Sequence, residues 1–284
     1  MRIATTNKLA RIAVAVPLEE AIYFANTCRS VAIVCASKYT SLAQEVSSQL
    51  RASHEPNFTT FQIRPHLGKS LIPAQKVVIS ADHSLDYGSP GLAIFTSGTS
   101  GPPKCAVRRR AFLDMMAHGI GQLYDLSEGD VVLHTLPVHH ATGIGISFMP
   151  FLLAGATIEF QSSGFNPAQI WKRWRKGGLT VFSGVPTMYL RLMKHYEEVL
   201  SQRADVSEYA SAAGAFRLMI SGSAALPFSL QVRWQSLLQG KRILERYGAT
   251  EFGSVFSVRP GDMNNPDVCF LPSLPRETRY ADLS

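Results

Sequence analysis

The sequence predicts an α/β protein with mostly parallel sheets covered by helices. Three observations predict it. Short apolar, β-branched runs alternate with longer stretches of helical period, several helix starts carry their own signals, and 46% hydrophobic residues among 284 is enough for a sizeable core.

In chain order, Ile12 to Val16 ("IAVAV") reads as a strand and Leu18 to Asn26 as the helix that follows. Val31 to Cys35 is the next strand and Leu42 to Ser53 the next helix. The stretch Arg51 to Gly91, rich in Pro, His and Ser, is expected to be loops around one strand, Val77 to Ser80. Leu92 to Thr96 is then a strand, Ala111 to Tyr124 a helix, Val131 to Thr135 a strand, Ile144 to Leu153 a helix and Thr157 to Phe160 a strand. Asn166-Pro167 is an N-cap followed by proline at the first helical position, opening a helix over Pro167 to Lys176. Val181 to Ser183 is a strand, Pro186 to Glu197 a helix and Leu218 to Ser221 a strand. Leu226-Pro227 opens a helix to Leu238 in the same way, and Arg242 to Arg246 is the last strand. Past Arg259 the sequence turns to Pro, Asn and Asp with little periodicity. In a sheet of this kind ligands collect at the carboxyl ends of the strands.

Composition narrows the function. The 28 Lys and Arg exceed the 21 Asp and Glu by seven, which suits an anionic ligand, but apart from Arg108 to Arg110 the basic residues are scattered. With no basic stripe interleaved with aromatics, nucleic acid is not an expected partner. Cys28, Cys35, Cys105 and Cys269 show neither CxxC spacing nor a nearby histidine cluster, so a zinc site and a disulfide framework are both unsupported and a reducing compartment is expected. The longest apolar run, Ile144 to Ile158, is too short and too broken by Gly, Ser, Pro and Thr for a membrane span. Residues 1–18 hold Arg2, Lys8 and Arg11 before any acid, a faint transit-peptide character, so the expected location is cytoplasmic with mitochondrial as the alternative.

The chemistry is concentrated in "FTSGTSGPPK", Phe95 to Lys104. Gly98 and Gly101 permit backbone conformations that expose successive N–H groups, the hydroxyls of Thr96, Ser97, Thr99 and Ser100 add donors, and Lys104 brings a point charge, a combination that wraps phosphate oxygens. It is not a Walker A loop, because two prolines separate the second glycine from the lysine. A mobile Ser/Gly surface turn has the same composition.

The order of these residues closely resembles the phosphate-loop signature Y/F-TSGTTG-x-PKG of the adenylate-forming, or AMP-binding, enzymes, the superfamily of acyl-CoA synthetases, luciferases and peptide-synthetase adenylation domains. Ser100 replaces a threonine and keeps the hydroxyl, while Cys105 stands where the family has glycine. Two further segments resemble family motifs in the right order: "SGSAAL", Ser221 to Leu226, and "ERYGATE", Glu245 to Glu251. The resemblance implies that Gly222, Ser223 and Ala224 let adenine approach the backbone, that Tyr247, with Gly248 beside it, stacks on adenine, that Thr250 bonds the α-phosphate, and that Glu251 binds Mg²⁺. An aromatic face for a base, a hydroxyl for an oxygen and a hard carboxylate for a hard cation are sensible pairings. "PVHHATG", Pro137 to Gly143, resembles PLxHxxG and places His140 at the wall of the acyl pocket; alone, such a histidine reads as structural.

The resemblance implies two half-reactions. A carboxylate attacks ATP to give an acyl-adenylate and pyrophosphate, then a thiol, usually coenzyme A, displaces AMP. The segments "VPTMYLRLM", "SGSAALP" and "ERYGATE" look most like the malonyl-CoA synthetase branch, in which Arg191, Ser223 and Arg246 would hold the second carboxylate of malonate or methylmalonate. Fixed guanidinium groups suit a dianion. The plainer readings are a solvated helix face for Arg191 and an ion pair with Glu245 for Arg246, and a generic short or medium acyl acid is the competing substrate.

The family also has a TGD segment that binds ribose, a hinge and a small C-terminal domain with a catalytic lysine, none recognisable between Phe252 and Ser284. The expectation is therefore a partial large N-terminal domain over residues 1–270, truncated at both ends, an irregular tail over 271–284, and no lid. An acid–thiol ligase, a noncatalytic nucleotide-binding remnant and a folded partner without nucleotide all fit that expectation.

Overall fold

The computed structural model describes residues 16–53, 56–63, 86–96, 101–161, 164–262 and 271–272. The expected strands Ile12 to Val16 and Val77 to Ser80 lie essentially outside these residues, as do Ser97, Gly98, Thr99, Ser100 and Cys269. The chain divides into two compact units, residues 1–113 and 114–284.

In the first unit, α1 (Leu18–Thr27) and α2 (Thr40–Ser53) enclose a small core of Ala21, Ala25, Val46, Leu50 and Phe58. Strand β1 (Ala32–Ala36) pairs in parallel with β2 (Thr59–Ile63). β2 falls where sequence predicts loop: four of its five residues are exposed, so it lacks the alternation that marks a half-buried strand. β3 (Pro90–Thr96) and β4 (Lys104–Arg109) form an antiparallel hairpin in which Thr96 faces Lys104 and Phe95 faces Cys105. β4 is a further unpredicted strand, hidden by its basic residues; Arg108 is 6% exposed and lies 4.3 Å from the Phe112 ring centroid. Helix α3 (Arg110–Leu123) leads the chain onward.

The second unit is built on a seven-stranded sheet. Its strands are β5 (Val131–His134), β6 (Thr157–Phe160), β7 (Val181–Gly184), β8 (Leu218–Ser221), β9 (Leu244–Ala249), β10 (Gly253–Ser257) and β11 (Leu271–Pro272), in the order β11-β10-β9-β8-β7-β5-β6. The five from β6 to β9 are parallel, as the alternating pattern predicts, and β10 and β11 add antiparallel pairs. Leu271–Pro272, expected in an irregular tail, thus joins the sheet. β7 and β8 are buried along their whole length, which is why they read as continuous apolar runs.

Helices α6 (Pro167–Arg175), α7 (Pro186–Glu198), α8 (Val206–Gly214) and α9 (Phe228–Leu237) supply the layer over this sheet. Asn166 caps α6 as predicted, its Oδ1 accepting from Gln169 N at 3.2 Å. Pro227, expected at the first helical position of α9, is instead its N-cap. The single helix expected over Ile144 to Leu153 is two short ones, α4 (Ala141–Gly145) and α5 (Met149–Leu153), because Gly143, Gly145 and Ser147 are weak helix formers and Pro150 sits naturally at a helix start. α8 went unpredicted because its Ala, Ser and Gly side chains give a weak periodic signal.

The core of this unit is aromatic. Trp171 and Trp234 stack at 6.0 Å with planes 9° apart, Trp174 packs edge-on against both Phe182 and Phe216, and all three indoles are at most 1% exposed. Buried indole N–H groups usually find acceptors, and two of these three do, Trp174 Nε1 being left without one among the described residues. Trp171 Nε1 donates to Leu192 O at 2.9 Å and Trp234 Nε1 to Tyr189 O at 3.2 Å, which fixes α6 and α9 against α7. At the amino ends of the strands, Asp130 Oδ1 accepts from Arg217 Nε and from Thr180 Oγ1, each at 2.7 Å, tying the starts of β5, β7 and β8 together. The carboxyl ends are left for other work.

Candidate active site

After β5 the chain turns to β6 on one side, and β7 then pairs on the other side of β5, so strand order reverses there. Such a reversal leaves a crevice beyond the carboxyl ends of the strands. "PVHHATG" follows β5, the turn into α7 follows β7, "SGSAAL" follows β8, and "ERYGA" forms most of β9.

Local chemistry shapes each segment. His140 is the N-cap of α4, and its Nδ1 accepts from Thr142 N at 3.4 Å. Gly143 is sterically required, since a Cβ there would stand 1.9 Å from Pro137 O. Ser223 adopts φ +69°, unusual for a residue with a Cβ, and its hydroxyl lies 3.1 Å from Thr142 Oγ1. Gly222 lies against the Arg246 side chain, and a Cβ there would meet its Nε at 2.7 Å. Thr142, which sequence reasoning missed, therefore joins the "PVHHATG" and "SGSAAL" segments.

Arg246 is the most unusual group in this unit. It is 7% exposed, and Nη2 donates to Ser183 Oγ at 3.3 Å. Ser183 in turn accepts from Ser147 Oγ at 2.9 Å. Nη1 has no partner, and among the described residues no carboxylate pairs with this guanidinium. The ion pair with Glu245 considered from sequence is not formed; Glu245 Oε2 accepts from Leu226 N at 3.0 Å instead. Burial lowers the arginine pKa from its ordinary value to about 10, which leaves it charged at neutral pH at a cost of about 3 kcal/mol. Tyr189, whose hydroxyl donates to Ile220 O at 3.0 Å, and Tyr124 are both pushed up by burial and lie near enough to act on the charge. A buried cation with an unpartnered donor is suited to receive an anion. Ser183 was legible in principle, as the polar residue within an otherwise apolar strand.

The remaining predicted residues sit as follows. Tyr247, on β9 with Gly248, is 56% exposed beside Phe252 and Phe256, whose ring centroids lie 6.5 and 6.3 Å away. The strand expected to end at Arg246 runs on through "YGA" to Ala249, and a Cβ at Gly248 would stand 2.1 Å from Gly253 O. Thr250 and the exposed Glu251 occupy the turn from β9 to β10. Ala224 is exposed after Ser223. Arg191 is exposed on α7, where Nη2 donates to Phe165 O at 3.5 Å and the guanidinium lies 5.0 Å from the Phe165 ring centroid; no hydrogen bond joins it to the Ser183–Arg246 group. In the first unit, Thr96 Oγ1 donates to Lys104 O at 3.4 Å, and Lys104 is exposed. At Gly101 a Cβ would meet nothing within 4 Å.

No group of three or more His, Cys, Asp or Glu able to hold a metal occurs among the described residues. Mg²⁺ is commonly held by one or two carboxylates with waters and substrate phosphates, so Glu251 alone fits such an ion. Among the described residues no helix is long and apolar enough to cross a membrane.

The fold and the segments at the strand ends define an adenylate-forming protein, and the chain belongs to the AMP-binding enzyme family, whose model matches residues 9–275. Among its relatives, it is 38% identical to a probable CoA ligase of Humulus lupulus over 174 residues, 58% of this chain and 28% of that protein. It is also 38% identical to the malonate–CoA ligase of Arabidopsis thaliana over 173 residues, 57% of this chain and 28% of that protein. The solved structure of apo MatB from Rhodopseudomonas palustris superposes with a TM-score of 0.72 at 23% identity, covering 93% of this chain and 49% of that one, which shows the shared fold. The chain spans less than half the length of these relatives.

Proposed function

We propose that residues 1–270 are part of the adenylation domain of an ATP-dependent acid–thiol ligase that converts malonate or methylmalonate to its acyl-adenylate and then to a coenzyme A thioester. The observation that carries this reading is Arg246, a buried guanidinium with an unpartnered Nη1 on the strand that bears the nucleotide motif. The malonate–CoA ligase relatives support the choice of acid.

In this reading Arg246 receives the distal carboxylate of the diacid, with Ser223 and Arg191 completing its pocket. Arg191 is held by one long hydrogen bond and a ring contact, so its turn toward an anion breaks little. His140 walls the acyl pocket. Lys104, with Thr96 and the loop residues 97–101, neutralises phosphate charge, Tyr247 offers an aromatic face to adenine, and Thr250 donates to a phosphate oxygen. Glu251 would hold Mg²⁺, which when bound supplies charge neutralisation on the phosphates. No covalent enzyme intermediate is required, so catalysis rests on positioning and on charge complementarity to the attacking carboxylate and the leaving pyrophosphate.

The test is calorimetric titration with Mg·ATP and with a nonhydrolysable malonyl-adenylate analogue, on the parent chain and on Lys104→Ala, Glu251→Ala, Arg191→Ala and Arg246→Met. Binding of the analogue that falls at least about tenfold in both arginine variants, with Mg·ATP binding unchanged there, is the expected result. A folded chain that binds neither ligand overturns the reading.

A further inference from the structure

The geometry points to Cys28 and Cys105 as a redox pair that closes, on oxidation by a hydroperoxide, to an intrachain disulfide adjoining Lys104. Their sulfurs lie 3.7 Å apart, although the residues are separated by 77 positions of sequence. Both are cysteines in the thiol form, outside any disulfide. A disulfide holds its sulfurs about 2.05 Å apart, so these two must come about 1.7 Å closer.

The pair is held in place by its surroundings. Cys28 is the C-cap of α1 and is 2% exposed. Cys105 is the second residue of β4, directly after Lys104 and opposite Phe95 on β3. The same helix reaches the hairpin at two other points: Phe24 stacks on Phe95 with centroids 4.0 Å apart, and Tyr23 Oη donates to Pro103 O at 2.9 Å. Three successive contacts along α1 thus fix the two thiols toward each other.

Exposure assigns the roles. Cys105 is partly exposed and meets the peroxide; Cys28 is buried and acts second. The Cys105 thiolate attacks the peroxide O–O bond and becomes a sulfenic acid as the other oxygen leaves as water or alcohol. The Cys28 sulfur then attacks Cys105 sulfur, the S–O bond breaks, and a second water leaves with the thiol proton. Two thiols are oxidised by two electrons and one peroxide is reduced. The bond ties the residue after Lys104 to the end of α1 and restrains the lysine. The consequence for nucleotide binding, unlike the bond itself, rests on the phosphate-binding role proposed for Lys104.

The experiment oxidises the purified chain with hydrogen peroxide, digests it without reductant and maps linked peptides by mass spectrometry, then titrates oxidised and dithiothreitol-reduced chain with Mg·ATP. The expected result is a Cys28–Cys105 linked peptide in monomeric protein, lost on reduction. The Kd for Mg·ATP is expected to rise about fivefold or more on oxidation of the parent and to stay unchanged in Cys105→Ser, which has no thiol beside Lys104. In Cys28→Ser, Cys105 should run on to sulfinic acid. Sulfinic acid at Cys105 of the parent without a linked peptide, or linkage mainly to Cys35 or Cys269, overturns the redox pair. A linked chain that binds Mg·ATP as well as the reduced one overturns the effect on Lys104. If the link forms and neither state binds nucleotide, the redox pair stands and the ligase reading falls.

Discussion

Arg246 Nη2 donates to Ser183 Oγ across 63 positions of sequence, and this is the one hydrogen bond that the guanidinium makes among the described residues. The arginine is therefore aimed by a hydroxyl while its charge is left uncompensated. That asymmetry separates the cost of the charge to folding from the role proposed for it toward an anion.

Arg246→Met should leave stability unchanged or raise it by up to about 3 kcal/mol, because it removes a buried charge that makes no ion pair. The folded pKa of about 10 lies below the unfolded value, so the charge opposes folding at pH 7 and ceases to do so as pH rises from about 10 through the unfolded pKa. Urea denaturation at pH 7 measures the difference. A loss of stability would show that the charge is compensated.

Ser183→Ala should destabilise the fold by about 1–3 kcal/mol, since it leaves Nη2 without an acceptor and Ser147 without its partner. Ser183→Thr keeps a hydroxyl and should lose less. The shift in urea midpoint at constant slope reads both, and equal losses would place the effect in packing.

Asp130→Asn should cost roughly 2 kcal/mol at pH 7, under the ~3–5 kcal/mol of a wholly buried pair because the Arg217 side chain is 37% exposed. Burial acts to raise the Asp130 pKa, but hydrogen bonds from Arg217, Thr180 and Ser127 more than offset it and hold it below the usual value. A depressed carboxylate stabilises above its unfolded pKa and stops doing so as pH falls through the folded value. The gap separating parent and variant should be flat from pH 7 to about 5 and shrink below about 4. A gap independent of pH would remove the ion pair from the explanation.

Gly143→Ala should lower stability by more than about 2 kcal/mol, because the added Cβ would lie 1.9 Å from the backbone oxygen of Pro137. Gly101→Ala, where a Cβ meets nothing within 4 Å, should change the melting temperature little. Thermal unfolding of the two variants side by side makes the comparison.

Much of the second unit was legible in sequence because its strands are short β-branched or apolar runs, two of them buried throughout, separated by segments of helical period. Thr157–Phe160 and Leu218–Ser221 fall on their predicted residues, and Asn166 caps the helix it was expected to cap. Elements whose stability comes from partners were not legible. β4 is written in basic residues, β2 in an exposed pattern, and β10 follows a turn whose geometry depends on the close approach of Gly248 to Gly253. The site divides in the same way. The motif positions can be read from local spacing, but the Ser147–Ser183–Arg246 chain and the Thr142–Ser223 contact join residues 36 to 81 positions apart, and no local pattern records them. Arg191 shows the reverse case: its motif is legible, yet the structure sets it on Phe165.

The contact of Gly222 with the Arg246 side chain makes these two positions one unit of variation. Any side chain added at 222 takes the space that the guanidinium stem fills, and any shorter residue at 246 opens that space. Libraries that vary the two positions one at a time should mostly lose stability, since each intermediate carries either a clash or a hole. Joint randomisation, with small residues at one position matched to large at the other, is the route by which the buried charge can be replaced.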